Sequence, residues 1–377
     1  MNTRRPLLKA LPVLAIAFIE SILFLGHWFI YRTLVVFFAG RLSLAATLVL
    51  RDALFLLAFT FVAASLLGFR FANPLVSLFY KIAAIWLGIF DFFLLAACLC
   101  RLVDSAQYLT GLHRNRPAVA ILFFSLALLV SIYGLLNARW IRIRRVPIKL
   151  PNLPPSWRGR TALLFSDLHL GHINGVGFSR RIASMAARLN PDIILIPGDL
   201  FDGPRCAPDR LAAPFKQLSP PFGMYFSAGN HDEFGGAAQY ATAIARAGIR
   251  VLSNEKVTLD GLQILGVPYH DSTHPNRMKA TLEALRPAEG QAAILLNHAP
   301  NRLALVEQAG VSLQLSGHTH GGQLFPFTWF TRLVFGTFTY GLHNFGALQV
   351  YTSSGAGTWG PPMRVGTNPE IVLLQFE

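Results

Sequence analysis

Apolar and polar positions are patterned differently in the two parts of this chain. Up to about residue 137 the apolar residues run in long stretches, at 11–31, 46–69, 75–103 and 117–137. A hydrocarbon core about 30 Å thick takes about 20 apolar residues in a helix. Each stretch is long enough, which predicts an N-terminal α-helical membrane domain of about four spans over residues 1–138. The stretch 32–49 is also apolar, but Arg41 interrupts it. It reads as a connector into the second span, with a fifth span as the alternative. A cleaved signal peptide fits 11–31 poorly, because the stretch is long, contains Glu20 and is followed by further spans.

Residues 139–157 alternate basic with apolar side chains and then become proline-rich. This pattern reads as a basic, semi-rigid juxtamembrane linker whose cations lie against anionic headgroups. From residue 158 to 377 the texture is that of a layered α/β domain. Short apolar runs at 161–166, 192–197, 223–228, 291–297 and 311–316 predict strands. Segments 178–189 and 237–248 carry apolar residues at helical spacing between them.

Composition refines this division. The chain of 377 residues is 53% hydrophobic and 14% charged, which excludes a disordered protein. Its net charge of +14 first raises nucleic acid as a partner. Residues 1–150 hold +12 of that charge and the remainder only +2. The basic excess therefore belongs with membrane topology, and nucleic acid is not an expected partner. Ten Lys/Arg on one side of four spans, against six on the other, place both termini in the cytoplasm. Glu20 and Asp91 fall inside spans, where each is expected to pair with a polar or basic neighbour or to stay protonated. Three cysteines (Cys98, Cys100 and Cys206) exclude a disulfide framework and a thiolate zinc site.

The chemistry lies at the ends of the predicted strands. The five runs lead into Asp167-Leu168-His169, Gly198-Asp199-Leu200-Phe201-Asp202, Gly229-Asn230-His231-Asp232, His298, and Gly317-His318-Thr319-His320. In open α/β sheets the site lies outside the carboxyl ends of the strands, so these residues are expected to meet. Carboxylates, imidazoles and an amide without sulfur suit Mn, Fe, Zn or Ni. Seven candidate ligands exceed what one tetrahedral ion takes. A shared carboxylate would bridge two ions.

These motifs, D-x-H, G-D-x-x-D, G-N-H-D, a single His and G-H-T-H in that order, resemble the calcineurin-like metallophosphoesterases from about Thr161 to Glu377. The stretches L-S-G-H-T-H-G-G-Q and G-T-W-G-P-P-M-R resemble a bacterial branch with N-terminal spans. The resemblance implies a four-layer α/β/β/α sandwich and two divalent metal ions, with Mn the leading candidate. One ion would take Asp167, His169, Asp199 and His320. The other would take Asp199, Asn230, His298 and His318, with Asp199 as the bridge. His231 would be the catalytic acid, with Asp232 orienting its ring. Asp202 lies outside the ligand set. An activated water would attack phosphorus in line. The implied setting is the bacterial inner (plasma) membrane, crossed several times.

Between residues 321 and 345 stand eight aromatic residues, among them Phe327, Trp329, Phe330 and Phe335. They read either as core packing or as an apolar rim that meets the bilayer or holds a lipid tail. His172, three residues after His169, is a candidate for substrate binding. The leading expectation is a membrane-tethered phosphoesterase that cleaves a phosphate ester or pyrophosphate bond in a lipid or lipid-linked substrate. Its partners would be membrane lipids and that phosphoester. One alternative is the same chemistry on a soluble mono- or diester, with the spans as an anchor. The other is a membrane sensor or transporter regulated by its C-terminal domain.

Overall fold

The computed structural model describes residues 4–203, 205–234 and 236–377, with the backbone alone for residues 4–12. The chain splits into two compact units, Met1–Gly134 and Leu135–Glu377.

The first unit is built from helices α1 (Arg4–Phe37), α2 (Leu44–Arg70), α3 (Pro74–Thr110) and most of α4 (Arg116–Arg139). Each is long and apolar enough to cross a membrane, and among the described residues there is no fifth such helix. The apolar stretch 32–49 is divided between the end of α1, a turn, and the start of α2. Ser43 stops it from being continuous, because its hydroxyl caps α2 by accepting the N–H of Ala46 at 3.1 Å. Asn73 caps α3 in the same way through the N–H of Val76 at 2.9 Å. Leu23, Ile30, Leu54, Phe90 and Ala97 form a small interior, while Leu44, Leu75 and Leu109 lie on exposed faces. Exposed leucine is costly in water and costs nothing in lipid. Of the two outcomes expected for the intramembrane acids, pairing is not seen for three of their four carboxylate oxygens among the described residues. Both carboxylate oxygens of Glu20, and Oδ2 of Asp91, are buried without a hydrogen-bond partner.

The second unit contains two six-stranded sheets. The strands are β1 (Arg142–Ile148), β2 (Thr161–Leu164), β3 (Ile193–Ile196), β4 (Met224–Phe226), β5 (Arg250–Val251), β6 (Glu255–Leu259), β7 (Leu262–Val267), β8 (Ala293–Asn297), β9 (Leu313–Ser316), β10 (Gly341–Phe345), β11 (Leu348–Thr352) and β12 (Glu370–Phe376). One sheet runs β1-β12-β2-β3-β4-β5 and the other β10-β11-β9-β8-β7-β6. The helices are α5 (Val176–Leu189), α6 (Pro208–Ala212), α7 (Asn230–Phe234), α8 (Ala237–Arg246), α9 (Tyr269–Thr273), α10 (Pro275–Ala284), α11 (Leu303–Gln308) and α12 (Phe327–Phe335).

Side-chain alternation builds the layers. Ala162, Leu164, Ile193 and Leu195 of the first sheet meet Ile294, Leu296, Leu313 and Leu315 of the second in one core. Their neighbours Leu163, Ile194 and Ile196 point the other way, onto Ile182 and Ala186 of α5 and Ile244 of α8. Ala293 and Leu295 likewise pack on Met278 of α10 and Val306 of α11. The result is the expected four-layer α/β/β/α sandwich. Strands buried on both faces read as unbroken apolar runs, which is why these five were visible in the sequence.

Residues 139–157 are not a free linker. Arg142–Ile148 pairs in parallel with β12, from Arg142 opposite Glu370 to Ile148 opposite Phe376. Basic and apolar alternation here is the pattern of an edge strand, with Ile148 in the core and arginines outward. Pro147 is tolerated at such an edge. The proline-rich end delivers Trp157 into the core, where its indole N–H donates to the carbonyl of Leu259 at 2.8 Å.

Candidate metal centre

The carboxyl ends of β2, β3 and β4 in one sheet, and of β8 and β9 in the other, deliver the expected residues to one place. Three overlapping groups have ligand atoms that lie within 4.8 Å of one another. They are Asp167, His169 and His320; His169, Asp199 and His231; and Asp199, His298 and His318. Nε2 of His169 and Nε2 of His320 face each other at 3.0 Å. Nε2 of His298 is 3.0 Å from Asp199 and 4.0 Å from Asp167, and it has no hydrogen-bond partner. Nδ1 of His318 lies 3.1 Å from the amide oxygen of Asn230. Converging imidazole nitrogens and an unpartnered buried nitrogen fit a site made to hold cations, and the oxygen and nitrogen donor set fits divalent ones.

The backbone is bent to achieve this. Asp167, His169, Asp199, His318 and His320 all have φ between 45° and 69°, the left-handed region. Each such non-glycine residue costs about 1–3 kcal/mol, a cost concentrated at functional sites. Close packing holds Asp167 in place. The Ser166 hydroxyl donates to its carboxylate, and the N–H of His318 donates to it at 2.9 Å. Gly317 and Gly355 pack against it so tightly that a Cβ on either would collide with its side chain.

Charge is sorted among the imidazoles. Burial opposes charging His298, but Asp199 outweighs burial and pushes its pKa up to about 10. Burial opposes charging His169 too, yet Asp202 and Asp199 raise it. Burial tends to raise Asp199, but His298 and then His169 hold it well below the carboxylate range. Burial, reinforced by His298, lowers His318 to about 3. Burial, then Arg364, lowers His320. Burial, then His169, lowers His231.

Two expected roles change. Asp232 does not touch the ring of His231. Its carboxylate accepts the backbone N–H groups of Asp199 (2.7 Å), Phe201 (2.9 Å) and Gly229 (2.9 Å), and so ties two strand-end loops together. Asp202 does the orienting instead. Its backbone carbonyl accepts from Nδ1 of His231 at 2.9 Å, and its carboxylate lies 3.2 Å from Nδ1 of His169. The sequence marked Asp202 only as the last residue of G-D-x-x-D. His172 is 7% exposed and belongs to none of the three groups.

Arg364 was not anticipated. It is fully buried, and it donates to the carbonyls of His320 (2.9 Å), Ser354 (2.7 Å) and Gly357 (2.7 Å), with Nδ1 of His320 at 3.2 Å. Aromatic rings border the site as well. Tyr269 and Phe335 lie 5.3 and 6.1 Å from the ring of His318. Trp359 and Phe234, both largely exposed, lie 5.8 and 6.0 Å from that of His231.

The family model for calcineurin-like phosphoesterases matches residues 161–322, which contain every candidate ligand. A metallophosphoesterase of Aquifex aeolicus is 33% identical over 259 residues, covering 67% of this chain and 98% of that protein. The chain belongs to the calcineurin-like metallophosphoesterases. A Danio rerio "transmembrane protein with metallophosphoesterase domain" is 33% identical over 261 residues, which cover 65% of this chain and 60% of that protein. The chain thus spans about 60% of the length of that relative. Arg364 and α12 both lie beyond the matched residues, in a part of this metallophosphoesterase that borders the candidate metal centre.

Proposed function

We propose that this chain is a membrane-tethered, dinuclear metallophosphoesterase that cleaves a phosphate ester or pyrophosphate bond of a lipid or lipid-linked substrate. Asp167, His169, Asp199 and His320 would hold one divalent ion, Mn foremost, and Asp199, Asn230, His298 and His318 the other. When bound, such a pair supplies Lewis acidity and an activated water at neutral pH. His231 acts as the acid. Its Nδ1 is held by the Asp202 carbonyl, which leaves Nε2 to donate to the leaving oxygen. Burial and His169 lower the pKa of the ring, and the Asp202 carboxylate, 3.9 Å away, offsets part of that lowering. We place the protein in the bacterial inner membrane with the hydrolase on the cytoplasmic side, following the distribution of Lys and Arg.

The observation that carries the lipid reading is the rim. Phe335 of α12 touches the ligand His318, and the same helix leaves Phe327, Trp329, Phe330, Leu333 and Val334 exposed. An apolar helix face beside a phosphate-processing site suits a substrate that reaches it from a bilayer. The test uses purified full-length protein with Mn²⁺ on two substrates, bis-p-nitrophenyl phosphate and vesicles of phospholipid or nucleotide-linked lipid. We expect turnover of both, with the lipid favoured. Hydrolysis of the soluble ester alone would overturn the lipid reading, and hydrolysis of neither would overturn the enzyme. His231→Ala should keep its metal content and lose about 10²–10⁴-fold in rate on a poor leaving group. An unchanged rate would remove His231 from the acid role.

A further inference from the structure

A second site lies apart from the candidate ligands, none of which lines it. A cavity of about 670 Å³ opens beside α12, and Arg144 of β1 and Arg332 of α12 stand in its wall. Arg144 is largely neutralised, with Nε 3.3 Å from the buried Glu370 carboxylate and its guanidinium over the Tyr340 ring at 5.3 Å. Glu370 is saturated in turn, accepting from the Tyr340 hydroxyl at 2.7 Å and the Tyr351 hydroxyl at 3.2 Å. Arg332 is different. It is exposed, and among the described residues it has no ion-pair partner. The cavity therefore keeps one uncompensated cation, with Thr337 and His343 also lining it.

Its lip is apolar. Trp329 is 64% exposed at the mouth, and Leu333 and Val334 beside Arg332 are 82% and 73% exposed. A free phosphate would use the cation but gain nothing from these side chains. A lipid uses both, since its phosphate meets the guanidinium while its acyl chains cover the helix face. Tryptophan and arginine on one amphipathic helix are the usual composition of an element lying in the membrane interface. The chain also carries four helices apolar enough to keep it at a bilayer.

We propose that this cavity binds the phosphate-bearing headgroup of an anionic membrane lipid, with Arg332 on the phosphate and α12 lying in the interface. The assignment does not depend on the hydrolytic reading. It would stand if the substrate of the metal centre were soluble.

The experiment places full-length protein in phosphatidylcholine nanodiscs doped with a photo-crosslinkable phosphatidylglycerol, and maps the labelled peptides. Label is expected within residues 327–340. It should fall about fivefold or more in Arg332→Glu, the weight of one cation near an anionic surface, and persist in Arg332→Lys. Unchanged thermal unfolding of both variants serves as the folding control. Equal labelling by a crosslinkable phosphatidylcholine, or labelling indifferent to Arg332→Glu, would overturn the proposal. Loss of label on adding millimolar inorganic phosphate would assign the cavity to the free ion and overturn the lipid. Persistence of label in Asp199→Asn is expected. Its loss there would move the lipid to the metal centre and overturn a separate site.

Discussion

A buried guanidinium beside the candidate ligands needs a reason, because burying a charge is costly unless it is well partnered. Both terminal nitrogens of Arg364 donate, to the carbonyls of His320, Ser354 and Gly357, while its Nε has no partner among the described residues, and these bonds hold a candidate ligand and the loop that packs on Asp167. We predict that Arg364→Gln weakens Mn²⁺ binding by about 10–100-fold, read by calorimetric titration of metal-free protein, and that Arg364→Lys recovers little. Lower thermal stability with unaltered affinity would leave Arg364 a packing residue only. His298 gives a pH signature. In the metal-free protein its pKa is pushed from 6.5 to about 10 by the Asp199 carboxylate, against burial. A folded pKa above the unfolded one means that this charge stabilises fully below about pH 6.5 and is lost as pH rises through about 10. Metal-free protein should therefore lose melting temperature between pH 7 and pH 10, and His298→Gln should flatten that slope. Parallel slopes would refute the assignment. Most of the candidate ligands that the structure brings together were legible because carboxylates and imidazoles recur at five strand ends, where packing alone calls for apolar side chains or turn formers. The left-handed backbone of Asp167 or His320 was not legible, since it is imposed by tertiary packing rather than by residue type. Asp232 misled for a related reason. Its neighbour in sequence is His231, but its nearest donors are three backbone amides from other positions.

At the scale of elements, buried parallel strands announced themselves and edge elements did not. β6, β10 and β1 mix polar with apolar residues and have little run length to detect. In β1 the arginines suggested headgroups, because nothing in the local pattern reveals that β12, more than 200 residues later, supplies its pairing partner. The consequence is testable by truncation. A fragment starting at residue 151 strips β1 from β12, exposing seven residues of open strand edge and the apolar face that Ile148 covers. Such edges recruit other chains. We expect that fragment to aggregate, and one starting at residue 135 to stay soluble to a greater degree, by size-exclusion chromatography. Equal behaviour of the two would make β1 dispensable.

For the whole molecule, the net charge of +14 divides evenly at +7 for each unit, because Arg139, Arg142, Arg144, Arg145 and Lys149 belong with the hydrolase unit rather than with the apolar helices. Both parts display apolar character, in the helices by sequence and in α12 by exposure. If α12 meets lipid during turnover, damage to its face should divide substrates by their physical state. Leu333 is 82% exposed, so Leu333→Glu removes no internal contact that the fold depends on. Keeping one leucine out of an apolar phase forfeits about 1.5–3 kcal/mol, before the added charge is counted. That amounts to about 10–100-fold in kcat/KM for a substrate embedded in vesicles. Hydrolysis of bis-p-nitrophenyl phosphate, a soluble ester with a good leaving group, should be unaffected. A fall in both activities would indicate that α12 supports His318 through Phe335 rather than meeting lipid, and a fall in neither would detach α12 from function altogether.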